Sequence, residues 1–109
     1  MAADEKPLVW LQSGIKTPPF TKKARLEAGL LLRRLQGGQA LCMPQSRPMP
    51  AIGSRCHELR IHDGDRDWRI IYRIDDDAII VVAVFAKKSP QTPGKIIENC
   101  KHRLALYDE

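Results

Sequence analysis

The stretch from Cys56 to Ala86 constrains the fold more than any other part of the chain. Its side chains alternate between two faces, and both breaks in the alternation carry turn chemistry. His57, Leu59 and Ile61 fall on one face of a strand, with Glu58, Arg60 and His62 on the other. Asp63-Gly64 follows, a hairpin signal because a tight turn needs a residue that tolerates positive φ. The returning strand sets Trp68, Ile70, Tyr72 and Ile74 against Arg69, Ile71 and Arg73. Asp75-Asp76-Asp77 makes the next turn and reads as a solvated tip. Ala78 to Ala86 is apolar throughout and rich in β-branched residues, as expected of a mid-sheet strand covered on both faces, and it stops at Lys87-Lys88. Three consecutive antiparallel strands follow from this pattern.

The flanking segments supply the rest. Leu8-Val9-Trp10-Leu11 suggests a short first strand. Pro18-Pro19 opens a helix whose apolar stripe is Phe20, Ala24, Ala28, Leu31 and Leu35, and Gly37-Gly38 provides its left-handed stop. Residues 39–54, with Pro44, Pro48, Pro50 and Gly53, have no regular period and read as an irregular connection. Thr92-Pro93 resembles an N-cap and first-turn proline, followed by Ile97, Cys100, Leu104 and Tyr107 at helical spacing. The expected architecture is one α+β domain over residues 1–109: a meander-based sheet of about four strands, with helices packed chiefly on one face and the other face partly open. A chain of 109 residues with 43% hydrophobic content supports one modest core, not two.

Charge narrows the partners. Lysine and arginine total 18 against 13 acidic residues, a net charge of +5, which favours a polyanion such as nucleic acid. Cys42, Cys56 and Cys100 form no CxxC pair and leave an odd thiol, so free, largely core cysteines in a reducing compartment are expected, with no metal or other cofactor. The first seven residues hold no apolar signal-like run and no stretch is long enough to span a membrane, so a soluble cytoplasmic protein is expected.

A turn about Gly64-Asp65 sets Arg60 directly across from Arg69. Like charges so paired destabilise a sheet by a few tenths to about 1 kcal/mol, which points to an anion between them. A turn within Asp76-Asp77 sets Arg69 opposite Val84 and carries the same face through Ala86 to Lys88. A one-residue slip would send one of these cations through the sheet. A cationic concavity suits RNA cleavage by internal attack of the ribose 2′-hydroxyl, because negative charge builds at phosphorus in the transition state. Arginine holds two phosphoryl oxygens at once, and a lysine among cations gives up its proton more readily, which makes Lys87 and Lys88 acid–base candidates. His62 shares the face of Arg60 and is the best-placed histidine for general-base work; His57 reads as a core or boundary residue and His102 as surface. The competing reading of the same charges, as ordinary solvated strand ends, stays open.

The ordered strings Arg47-Pro48-Met49-Pro50 with Ile52-Gly53, Glu58-Leu59-Arg60, Trp68-Arg69-Ile70-Ile71-Tyr72-Arg73, and Phe85-Ala86-Lys87-Lys88 through Thr92-Pro93 together resemble the phage-derived HigB-like branch of the RelE/ParE toxin superfamily. That resemblance runs from about Pro7 to Tyr107. It implies a RelE-like fold and an endoribonuclease toxin that cuts mRNA on the ribosome without metal, restrained by a helix-turn-helix antitoxin. It assigns phosphate holding to Arg60, transition-state stabilisation to Arg69 and proton transfer to Lys87 or Lys88; Arg66, Arg73 and His62 are further candidates for RNA contacts. The superfamily also contains gyrase poisons, and a phage-derived homologue that only binds antitoxin is the remaining alternative. Many RelE-type enzymes carry a tyrosine or histidine just after the final strand. Here Ser89-Pro90-Gln91 follows the lysines, which leaves the general base unassigned by resemblance.

Overall fold

Five strands and two helices follow one another as β1 (Leu8–Trp10), α1 (Lys22–Gln36), β2 (Ser46–Pro48), β3 (Cys56–Asp63), β4 (Arg66–Ile74), β5 (Ile79–Ala86) and α2 (Gly94–Tyr107). The computed structural model describes residues 5–11, 20–87 and 91–109. The strands form one mixed sheet in the order β1-β5-β4-β3-β2, with β1 parallel to β5 and every other pair antiparallel. The expected meander is β3-β4-β5. The fifth strand, β2, lies inside the segment expected to be irregular. Its Pro48 sits on an edge strand, where the missing N–H removes no interior ladder bond.

The helices do not share a face, contrary to expectation. α1 buries Ala24, Ala28, Leu31, Leu32 and Leu35 against Leu59, Ile61, Trp68, Ile70 and Tyr72. α2 buries Cys100 and Leu104 on the opposite face, against Cys56, Ile71, Ile80 and Val82. The reason is visible in β4 and β5: Ile70-Ile71 and Ile79 to Val84 are apolar on consecutive residues, so both faces need cover.

Register follows turn chemistry, then departs from it once. Gly64, at φ 64°, occupies the first position of the two-residue β3–β4 turn, and the ladder pairs Asp63 with Arg66 and Arg60 with Arg69. From the β4–β5 turn the ladder runs Ile74 with Ile79 to Tyr72 with Val81, then shifts so that Ile71 faces Ala83. Val82 and Ala83 consequently both lie in the α2-side core, the signature of a bulge. Beyond it Arg69 faces Phe85, not Val84, so the face shared with Arg69 continues to Lys87, where the sequence reading had put Lys88.

Helix ends account for two further differences. α1 is capped by Thr21, whose Oγ1 accepts the Ala24 N–H at 3.2 Å, and it closes at Gly37, followed by Gly38 at φ 89°. Pro18-Pro19 lies outside the described residues. α2 starts after Pro93 with no side-chain cap, because the Thr92 hydroxyl is engaged elsewhere. Tyr107, expected on the buried stripe, is exposed.

Candidate functional site

Arg60 on β3 and Arg69 on β4 are direct cross-strand partners on the α2 side of the sheet. β2 flanks β3 only as far as Arg60, whose N–H donates to the Gln45 carbonyl at 2.8 Å. Beyond that point the edge opens into a recess of about 320 Å³ lined by Gln45, Arg60, His62, Asp67 and Arg69, with Glu27 of α1 at its border.

One carboxylate lies behind Arg69 in the wall of the recess. Glu58 is 2% exposed and accepts from Arg47 Nε at 3.1 Å and from the Thr92 hydroxyl at 2.7 Å, while Arg69 Nε lies 3.5 Å away. It therefore ties β2, β4 and the segment entering α2 to one point. Arg69 is itself 6% exposed, and its Nη1 donates to the Trp68 carbonyl at 3.0 Å. Burial holds the Arg69 pKa below the usual arginine value; Glu58 opposes that shift and Arg60 adds to it.

Two guanidinium groups, Arg47 and Arg69, thus share a single buried carboxylate, and a third, Arg60, is the cross-strand neighbour of Arg69. The Nε of Arg60 is buried and has no hydrogen-bond partner among the described residues. An orphaned buried donor costs about 1–3 kcal/mol, more when charged, unless a ligand or a movement of the side chain satisfies it.

His62 pairs across the ladder with Asp67, and its Nδ1 lies 2.7 Å from Asp67 Oδ1. The hydrogen bond from His62 holds the Asp67 carboxyl below the usual range, with the charges of Arg69 and Lys87 adding to the effect. If Nδ1 carries the proton toward Asp67, the Nε2 lone pair faces solvent, the arrangement a general base needs. Lys87 donates its backbone N–H to the Asp67 carbonyl at 2.7 Å, which fixes it beside this pair; Lys88 lies outside the described residues.

The structure gathers Arg60, Arg69 and His62 around one recess and sets Lys87 next to it. Arg66 is exposed at the hairpin end, opposite Asp63. Arg73 does not join them. It sits four residues along β4, 7% exposed, donating to Asp75 at 2.7 and 2.9 Å and to Asp108 at 2.8 and 2.7 Å, with the Tyr107 ring 5.9 Å from its Cζ. Asp75 is accordingly not part of a solvated tip. Tyr72 points to the α1 side, where its hydroxyl meets Ser46 Oγ at 2.6 Å, and half-buried His57 stacks on its ring. Cys56 and Cys100 are buried free thiols, whereas Cys42, expected in the core, is exposed.

Glu58 and Asp67 are the residues the sequence reading missed. Once Arg60 is set opposite Arg69, Glu58 falls opposite Ile71 and diagonal to Arg69, and Asp67 falls opposite His62; both follow from the β3–β4 turn alone. Among the described residues no group of three or more His, Cys, Asp or Glu side chains could hold a metal ion, and no helix is long and apolar enough to cross a membrane.

Residues 19–105 match the family model described as phage derived protein Gp49-like (DUF891), and the chain belongs to that family. No curated protein and no solved structure gives a match.

Proposed function

We propose that this chain is the toxin of a toxin–antitoxin pair, a RelE/HigB-like endoribonuclease that cuts messenger RNA, chiefly on the ribosome, and is restrained by a helix-turn-helix antitoxin. The observation that carries this reading is the cross-strand pair Arg60–Arg69 at a recess shared with the His62–Asp67 hydrogen bond. Membership in a phage-derived family agrees with the toxin reading.

In the reaction proposed, a phosphodiester enters the recess and its non-bridging oxygens take donors from the Arg60 guanidinium, whose side chain turns toward the recess so that the Nε, buried and unpartnered among the described residues, gains an acceptor. His62, oriented by Asp67, accepts the 2′-hydroxyl proton at Nε2 while the 2′-oxygen attacks phosphorus. The 5′-oxygen leaves with a proton from Lys87 or Lys88, giving a 2′,3′-cyclic phosphate and a 5′-hydroxyl end. Arg69, largely buried against Glu58 and directly across the ladder from Arg60, supplies positive potential from beneath.

The test is induced expression followed by mapping of RNA 5′ ends. The reading expects growth arrest with new 5′-hydroxyl ends inside coding sequences. Arrest with a DNA-damage response and no new RNA ends would favour a gyrase poison, and undisturbed growth would favour an inert homologue.

A further inference from the structure

A second recess, of about 380 Å³, lies on the opposite side of the sheet between α1 and the β1 edge. Its interior is aliphatic and aromatic, with Leu8, Phe20, Leu32, Ile70 and Val84 contributing, and Trp10 stands at its mouth, 45% exposed. Leu26 and Leu30, both exposed, extend the apolar strip one row further round α1. An apolar strip with this many large exposed side chains on one face of a small domain marks an interaction surface.

Two features identify its occupant. Arg25 and Arg33 line the recess, separated along α1 by roughly 12 Å at 1.5 Å per residue, and neither forms an ion pair among the described residues. Glu27, the one carboxylate of α1, borders the arginine recess instead. The second feature is Gly29, in the middle of α1 and on the recess wall, with nothing within 4 Å of where its Cβ would stand. A mid-helix glycine costs about 1 kcal/mol relative to alanine, and here its effect is to keep the recess open at the helix surface.

We infer that this recess docks an amphipathic helix of a protein partner whose apolar stripe is flanked by carboxylates. The apolar residues enter beside Gly29 and Trp10, and acidic residues about two turns apart meet Arg25 and Arg33. Among the described residues the polar side chains of the lining are Arg25, Arg33 and Gln36, and the Gln36 amide already donates to the Lys6 carbonyl at 2.8 Å; the rest is aliphatic or aromatic, which suits the apolar face of a helix better than the edge of a nucleotide base. A two-fold dimer through this recess would set Arg25 and Arg33 against the same arginines of the second copy. The inference stands apart from the nuclease chemistry; where the toxin reading holds, this is where the restraining partner attaches.

The probe is a synthetic helical peptide with a leucine stripe flanked by glutamates, titrated into the full chain and read by Trp10 fluorescence, with Trp68 buried and constant. A peptide with lysines in place of the glutamates, and a single-stranded RNA oligonucleotide, serve as controls. The glutamate peptide is expected to bind about tenfold or more tighter than the lysine peptide. Gly29→Leu, with folding verified by circular dichroism, is expected to abolish the response while leaving any RNA cleavage intact. Arg25→Glu with Arg33→Glu is expected to reverse the preference between the two peptides. Equal binding of both peptides, an undiminished response in Gly29→Leu, a Trp10 response to RNA in place of the glutamate peptide, or a dimer dissolved by Gly29→Leu would each overturn the assignment. Loss of RNA cleavage in every form, with peptide binding as expected, would count against the nuclease reading alone.

Discussion

Arg69 and Arg73 lie on the same face of the same strand, four residues apart, and their surroundings divide the sheet into two electrostatic regimes. At the Arg73 end two guanidinium groups meet two carboxylates: Arg73 donates to both Asp75 and Asp108, and exposed Arg55 lies 3.5 Å from Asp75. At the Arg69 end Arg47 and Arg69 share one carboxylate, Glu58, and neighbouring Arg60 has a buried Nε with no hydrogen-bond partner among the described residues. The number of counter-charges, more than the number of arginines, separates a structural latch from a site with positive charge to offer an anion.

The largest expected effect strikes the carboxylate on which the second regime depends. Glu58→Gln leaves buried Arg69 and neighbouring Arg47 without their counter-charge, and should cost about 3–5 kcal/mol of stability in urea denaturation. Adding Arg69→Met should restore part of that loss. If the double variant is no more stable than Glu58→Gln alone, the two groups are not coupled as described.

Arg60→Met sharpens the contrast from the other side. Because its buried Nε has no partner among the described residues, stability should rise, by up to about 1–3 kcal/mol, while RNA cleavage falls by about 10²- to 10³-fold. Arg73→Met should show the reverse, losing about 2 kcal/mol in denaturation and retaining cleavage at temperatures where it is folded.

Acid should weaken both ends in the same direction. The carboxyls of Asp67 and Asp108 are held below their usual range chiefly by hydrogen bonds from His62 and Arg73, respectively. Their unfolded forms take up protons first, so the stability they contribute is present above the ordinary carboxylate pKa of about 4 and is lost as pH falls through the lower folded values. Burial also lowers the His57 pKa, so a smaller loss should begin as pH drops below about 6.5, and His57→Gln should remove that first limb of the urea-midpoint profile.

The smallest effect concerns the thiols. Burial raises the pKa of Cys56, and that of Cys100 to about 11, so iodoacetamide should modify Cys42 alone in the folded chain. Rapid modification of Cys56 would show that the latch end opens.

The sequence made the β3–β4 register legible because Asp63-Gly64 allows few tight turns, and with it came the Arg60–Arg69 pairing. It did not disclose the bulge at Val82, since a run of valines and isoleucines looks the same in either register; that is why Lys88 was expected where Lys87 stands. The side of the sheet taken by α2 was also hidden, because helical periodicity reveals an apolar stripe but not what it covers. Thr92 read as a cap by local chemistry, and a distant carboxylate claims its hydroxyl. Arg66 and Arg73 looked alike as RNA contacts until Asp108, at the far end of the chain, proved to hold Arg73.

The most direct measurement follows the arginine Nε–Hε resonances by NMR during titration with an RNA oligonucleotide whose attacking 2′-hydroxyl is replaced by hydrogen. The Arg60 resonance should shift on binding while that of Arg73 stays fixed. Movement of Arg73, or a static Arg60 when the oligonucleotide is bound, would contradict the division between the two ends.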